Sequence, residues 1–221
     1  MQKGFFLAAS VALAGLFADD TAAQTRTGLD IYVVDVEGGN ATLLVAPSGE
    51  SLLIDTGNVA PEAAIRDAGR ILAATQDAHL SQIDHLIITH WHGDHFGGVA
   101  ELAKRIPIKH FIDHGANVQP APAADDFIAK IYPELYANAK HSVVKPGDKI
   151  TVAGVDVRVV TAAGETIKRP LAGAGSPNPY CASFKPGENN AEDPMSVGVY
   201  VKFGSSAPFI SATSPATRNS S

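Results

Sequence analysis

A mixed α/β domain built in layers, with its second half short of helices, is what the amino-acid order predicts. Two patterns and a composition carry that expectation. Tight runs of β-branched and aliphatic residues open and close the chain, and stretches with helical spacing fall between them, giving strands, helix, strand, helix, strand, helix and then strands again. The 221 residues are 45% hydrophobic and 18% charged with 20 glycines, a globular composition that suits one large domain or two small ones. No repeat or heptad breaks the order.

Asp30 to Glu37 and Ala41 to Ala46 are strand-forming runs joined across Gly38, Gly39 and Asn40. Pro47 to Glu50 turns the chain into a third, Ser51 to Asp55, so an antiparallel meander is expected. It ends at Asp55-Thr56-Gly57, with a carboxylate where a buried strand opens into a loop. Pro61 suits a first helical turn, and Ala64, Ile65, Ala68, Ile71 and Leu72 keep helical spacing to about Ala78. Ile83 to Thr89 is a mostly apolar strand that runs into His90. A second helix is expected from near His95 through Arg105, then a strand over Ile108 to Ile112 and a loop at Asp113-His114-Gly115. Phe127, Ile128, Ile131 and Leu135 place a third helix over 122–139, kinked near Pro133. Ser142 to Val144, Lys149 to Val152 and Val155 to Val160 are short strands. A loop rich in Gly, Pro and Asn fills 163–194, a length that points to function or mobility. Met195 to Phe203 is a further strand, with Ala207 to Ala212 as its partner.

The net charge of -6 argues against gripping nucleic acid by bulk electrostatics, though not against a nucleic-acid substrate handled locally. A single cysteine, Cys181, excludes an intramolecular disulfide and any multi-cysteine metal site; an inert thiol is the simpler reading for it than a ligand. No phosphate-cradling glycine motif is present. Lys3, the apolar run Gly4 to Phe17 and the small residues Thr21-Ala22-Ala23 have the layout of a secretory signal peptide over 1–23, cut before Gln24. The rival, a membrane anchor, needs a longer apolar run. The expectation is an exported protein, periplasmic or secreted, with no membrane attachment after cleavage.

The chemistry concentrates in His90-Trp91-His92-Gly93-Asp94-His95. In an extended segment alternate side chains share a face, so His90, His92 and Asp94 are expected to point together and away from Trp91, with His95 at the turn into the next helix. Imidazole and carboxylate at this density suit one or two metal ions, which would make a hydroxide available at neutral pH. The bland alternative is a polar turn whose histidines bond backbone carbonyls. His85 lies an odd number of residues from these ligands and is expected to face elsewhere.

This segment resembles the HxHxDH signature of the metallo-β-lactamase superfamily, and Asp55-Thr56-Gly57 resembles that superfamily's first motif. Val34 to Leu44 resembles the branch found in DNA-uptake competence proteins, departing from it at Glu37-Gly38-Gly39-Asn40. The likeness runs from about residue 30 to 210 and is strongest over 30–100. It implies an αββα sandwich whose metal site lies where two sheets meet, holding up to two zinc ions, with manganese or iron as alternatives. His90 and His92 would ligate the first ion, Asp94 and His95 the second. Asp94 would also hold the attacking water, and Asp55 would orient the cluster from behind. A turn-capping aspartate is the plainer reading of Asp55.

The superfamily's later motifs supply another histidine or its substitute, a bridging Gly-Asp and a final histidine. After His141 this chain has no histidine, and no aspartate stands near Ser211 to Thr213. The resemblance therefore implies a domain over 24–212 with its second half truncated, and a disordered or frameshifted tail over 213–221. Chosen G+C-rich codons for Ser211 to Ser221, displaced by two bases, restore Gly-Asp-Leu; a divergent tail is the rival. His114, Asn190, Glu192 and Asp193 are the candidate substitutes, each set against a solvated loop residue. The function implied is metal-dependent hydrolysis, with a phosphodiester or other small-molecule ester as substrate. β-Lactamase or lactonase chemistry, a non-catalytic remnant and an exported metal- or ligand-binding protein are the alternatives.

Overall fold

The structure, a computed structural model, describes residues 26–171 and 191–205, and the backbone of 209–211. The expected signal peptide over 1–23, Cys181, Asn190 and the tail over 213–221 lie outside the described residues. The meander forms as expected: β1 (Asp30–Val33), β2 (Thr42–Val45) and β3 (Ser51–Ile54) pair antiparallel. Three further strands, β4 (His85–Ile87), β5 (His110–Asp113) and β6 (Lys140–Val143), add in parallel, giving a six-stranded sheet in the order β1-β2-β3-β4-β5-β6.

Parallel neighbours need crossovers, and the helical stretches provide them. α1 (Pro61–Asp77) links β3 to β4. α2 (Gly93–Phe96) and α3 (Val99–Ala103) link β4 to β5. α4 (Pro122–Asp126) and α5 (Tyr132–Leu135), joined by a π-helical turn over Phe127–Ile131, link β5 to β6. The kink expected near Pro133 takes the form of that widened turn, which ends two residues ahead of Pro133, a residue with no N–H to donate.

Neighbouring residues of a strand face opposite ways, and here both faces are covered, so β2 and β3 are apolar runs with no alternation. Leu43, Leu53, Leu86 and Phe111 pack under the helices with Ala68, Ile71, Leu102 and Tyr132. Leu44, Leu52, Ile54, Ile87 and Ile112 pack against a second sheet through Ile150, Val157, Val159, Val199 and Val201. Burying each such Leu, Ile or Val stabilises by about 1.5–3 kcal/mol. The second sheet is antiparallel, with β7 (Lys149–Val152), β8 (Val155–Ala162), β9 (Glu165–Thr166), β10 (Gly198–Lys202) and β11 (Phe209–Ser211) in the order β11-β10-β8-β7 and β9 beside β8. Helices, sheet and sheet make three layers of the expected sandwich. Among the described residues, every α-helix precedes Tyr136.

The parallel strands end along one edge, at Asp55, at Thr89 and His90, and at Asp113 and His114. That is the edge where open α/β sheets place their sites. The second sheet reaches it just ahead of β10, where the Val197 N–H donates to the Thr89 carbonyl at 2.8 Å.

Candidate metal centre

Asp55 leaves β3 in the left-handed region, with φ 63°, a conformation more common for Asp than for most side chains. Its buried carboxylate gathers the donors around it. Oδ1 accepts the Thr89 N–H at 2.7 Å, and Oδ2 accepts the Thr89 hydroxyl at 2.8 Å. Oδ2 also lies 2.8 Å from His95 Nδ1 and accepts from Asn40 Nδ2 at 3.3 Å. Donor counting then sets two tautomers. The Thr89 hydroxyl has given its hydrogen to Asp55, so its oxygen can only accept from His90 Nδ1, 3.1 Å away. Neutral His90 thus carries its proton on Nδ1 and a lone pair on Nε2. Neutral His95 donates from Nδ1 to Asp55 and presents its Nε2 lone pair 3.7 Å from Asp94 Oδ2.

Burial, reinforced by the neighbouring imidazoles of His95, His92 and His114, holds His90 down to about 3. Burial also pulls on His95, but the hydrogen bond and charge of Asp55 outweigh it, with Asp94 and Asp193 adding to them, and raise its pKa.

The extended-face expectation holds for His90 and His92 and fails for Asp94. His92 is the N-cap of α2, with φ -83° and ψ 143°, so the chain is already helical at Gly93, two residues before the helix was expected. That turn sets Asp94 beside His95. The early helix rests on close backbone approach: a Cβ on Gly97 would lie 2.0 Å from Asn58 C and Val59 N, and one on Gly39 would lie 1.8 Å from the Asp94 carbonyl oxygen. Only glycine lets the loops at 38–40 and 56–59 press against the metal-binding turn.

His90 Nε2 and His92 Nδ1 are 3.1 Å apart. Asp193 Oδ1 stands 2.9 Å from His92 Nδ1 and 3.5 Å from His90 Nε2. These three form a group that could hold an ion. Ligand atoms at the ~2.0–2.1 Å bond lengths of tetrahedral zinc lie about 3.3 Å from one another, so the donor set fits that metal in type and in spacing.

The other substitutes go elsewhere. Glu192 and His114 lie 2.6 Å apart, both buried, and are not among the converging atoms. Burial raises the Glu192 carboxyl, but the His114 contact and the backbone N–H groups of Val118 and Trp91 bring it below the ordinary carboxylate value. Trp91 points away as expected: it is buried, donates from Nε1 to the Gly115 carbonyl at 2.7 Å, and packs on Phe96 and Tyr132. His85, the first residue of β4, meets His110, Nδ1 to Nδ1 at 3.1 Å, whereas His90 follows the strand's other end. Two contributors are not signalled by the residue pattern. Thr89 reads as an ordinary strand residue, and Gln119, whose Oε1 lies 3.1 Å from His92 Nε2, as a loop residue.

A family profile described as the metallo-beta-lactamase superfamily matches residues 34–167. Over 128 residues the chain is 30% identical to an atrochrysone carboxyl ACP thioesterase of Cryptosporiopsis sp. (strain 8999), covering 58% of this chain and 32% of that protein. Over 81 residues it is 40% identical to a thioesterase of Emericella nidulans, covering 35% and 22%. A lactamase-like protein of Aspergillus fumigatus is 30% identical over 129 residues, covering 58% and 32%. The chain thus spans about a third or less of these relatives' length. Among solved structures, the metallo-beta-lactamase GOB-18 from Elizabethkingia meningoseptica superposes with a TM-score of 0.50 at 16% identity, covering 84% of this chain and 58% of that one, a likeness of fold alone. These relatives are thioesterases and lactamase-like proteins, which corrects the competence-type branch suggested by Val34 to Leu44.

Proposed function

Because the chain belongs to the metallo-β-lactamase superfamily, we propose that its 24–212 domain is a metal-dependent hydrolase acting on a small-molecule ester or thioester. The observation that carries the reading is the buried Asp55 carboxylate, whose bonds turn the Nε2 lone pairs of both His90 and His95 away from it. His90 and His92 would hold a first ion, Asp94 and His95 a second, zinc being the metal the donor set fits. A bound zinc supplies a Lewis acid for the carbonyl and lowers the pKa of water toward 7.

The chain's own residues orient the reaction around that ion. The side chain of Asp94 is 44% exposed, and it can accept a hydrogen bond from the attacking water and align it. Asp55 stays behind the histidines and keeps their protons on Nδ1. Acyl chemistry is placed ahead of phosphoester chemistry because thioesterase is what two of the relatives are called, and because the likeness that favoured phosphodiesters has been replaced. The rival is a remnant that binds metal without turnover.

The test is the zinc-loaded protein on p-nitrophenyl acetate, a short acyl thioester and bis(p-nitrophenyl) phosphate. Ester or thioester turnover should exceed phosphodiester turnover and should vanish on chelation and in His90→Ala. Turnover indifferent to both treatments, or fastest on the phosphodiester, would overturn the proposal. Metal uptake with no turnover on any of the three would favour the remnant.

A further inference from the structure

We propose that Asp193 is the third protein ligand of the first metal ion, and that Glu192 is the positioning residue that sets it there. The proposal rests on the metal-centre reading above and adds a protein donor to it.

Proton accounting carries the first half. The Glu192 backbone N–H donates to Gln119 Oε1 at 3.2 Å, and a backbone N–H can meet only the oxygen of an amide, so the orientation of Gln119 is settled. The same oxygen faces His92 Nε2 at 3.1 Å, which must therefore donate to it. Neutral His92 then carries a lone pair on Nδ1. That lone pair, the Nε2 lone pair of His90 and the carboxylate Oδ1 of Asp193 face one another at 2.9–3.5 Å. Three acceptors at this spacing repel unless a positive charge sits among them. That charge is either a proton on His92, giving an ion pair with Asp193, or a cation shared by all three groups. The approach of His90 Nε2 to both of the others, at 3.1 and 3.5 Å, favours the shared cation, since an ion pair needs only the 2.9 Å contact between His92 and Asp193. Two imidazoles and one carboxylate, with a position left open, is a donor set used by hydrolytic zinc.

Glu192 carries the second half. Its side chain is fully buried: Oε1 accepts the Trp91 N–H at 3.1 Å, and Oε2 accepts the Val118 N–H at 2.9 Å. His114 Nε2 closes on Oε1 at 2.6 Å. Trp91 stands between the two histidine ligands in sequence, so this carboxylate is tied to the backbone of the metal-binding turn itself. Beyond Asp193, the Val197 N–H fastens to the Thr89 carbonyl at 2.8 Å. Asp193 is thus held from both sides, at the first residue of a single 3-10 turn over Asp193–Met195. The two adjacent acids divide the work, with Glu192 inward as an anchor and Asp193, its side chain 39% exposed, outward as a ligand.

Zinc affinity of the full chain, read by competition with a chromophoric chelator, tests both halves without recourse to activity. Asp193→Ala should weaken one equivalent by about a hundredfold or more while sparing the other, since losing a ligand should exceed the ~10–100-fold typical of losing a ligand's own partner. His85→Ala is the control and should bind as the parent does. Glu192→Gln replaces an acceptor with a donor beside backbone N–H groups and should weaken the same equivalent ~10–100-fold. Combined with Asp193→Ala it should add nothing further, because Glu192 acts through Asp193. Far-ultraviolet circular dichroism checks folding, and Glu192→Asp, one methylene too short to keep all three partners, takes the place of Glu192→Gln should that chain not fold.

If Asp193→Ala binds both equivalents as tightly as the parent while His90→Ala loses one, Asp193 is merely the ion-pair partner of His92 and the ligand assignment is overturned. Additive losses in the double variant overturn the positioning role. A parent chain that takes up no zinc defeats the metal-centre reading itself, a separate result.

Discussion

Replacing Asp55 with Asn changes the proton count of the site while leaving its shape almost alone. Asn has the same size and also tolerates the left-handed φ of 63°, so the exit from β3 should persist. The carboxylate accepts from Thr89 N–H, the Thr89 hydroxyl and Asn40, and pairs with His95 Nδ1. An amide offers one oxygen. With that oxygen on the Thr89 N–H, the NH2 faces His95 Nδ1 and the Thr89 hydroxyl, both of which must now accept. His95 then moves its proton to Nε2, the atom otherwise open toward Asp94. The Thr89 hydroxyl, released from Asp55, can donate to His90 Nδ1 and drive the same change there. That NH2 also meets the Asn40 Nδ2 donor that Oδ2 had accepted, and the opposite amide orientation sets two donors face to face at Thr89 N–H; either clash costs about 1–3 kcal/mol. Asp55→Asn should therefore fold with about 1–3 kcal/mol less stability in the metal-free state, and bind zinc ~10–100-fold more weakly at both ions. Chelator competition measures the affinities, urea melts the stability, and long-range 15N–1H correlations the tautomers. Parent-like affinity at both sites, with His95 still protonated on Nδ1, would falsify the tautomer argument and leave Asp55 a simple turn cap.

Two further outcomes are expected. Burial, with Lys140, His85 and His141 nearby, depresses His110 to about 4, so protonation favours the unfolded chain, whose histidine titrates near 6.5. The linked stability is whole above pH 6.5 and drains as pH falls toward 4, by at most about 3 kcal/mol; metal-free urea melts at pH 7 and pH 4.5 should show a smaller loss in His110→Gln than in the parent, and equal losses would refute the assignment. Export with cleavage ahead of Gln24 should appear as a mature chain whose intact mass begins at that residue, and a cell-associated product that keeps Met1 would count against it.

What could be read from the sequence was local. The meander and the helix from Pro61 follow from periodicities that act over a few residues, and the structure reproduces them. The reading failed wherever a contact between distant segments decided the outcome. Period-two reasoning placed Asp94 with His90 and His92, because nothing in residues 90–95 alone shows that His92 caps a helix whose backbone is pressed against residues 56–59. Asn190, Glu192 and Asp193 stood as equals in the sequence, since polarity does not say which acid turns inward. That choice is made 74 to 101 residues away, by the Trp91 and Val118 N–H groups and by His114, all converging on Glu192.

The same geometry makes the proposed site a joint product of both sheets. Asp55 and the 90–95 turn lie at the edge of the first sheet, whereas Asp193 arrives on the segment that leads into β10 of the second. It is brought to His90 and His92 by contacts that also dock that segment, among them Glu192 on Trp91 and Val197 on Thr89. Those contacts lie beyond the apolar layer shared by Ile54, Ile87, Val197 and Val199. Burial of that layer brings the sheets together without specifying an ion, and the polar contacts at its rim turn the approach into a donor set. A three-ligand site of this kind is assembled only when the sheets are docked. An ion bound there would in turn hold them together, since whatever binds the docked state alone stabilises it by mass action.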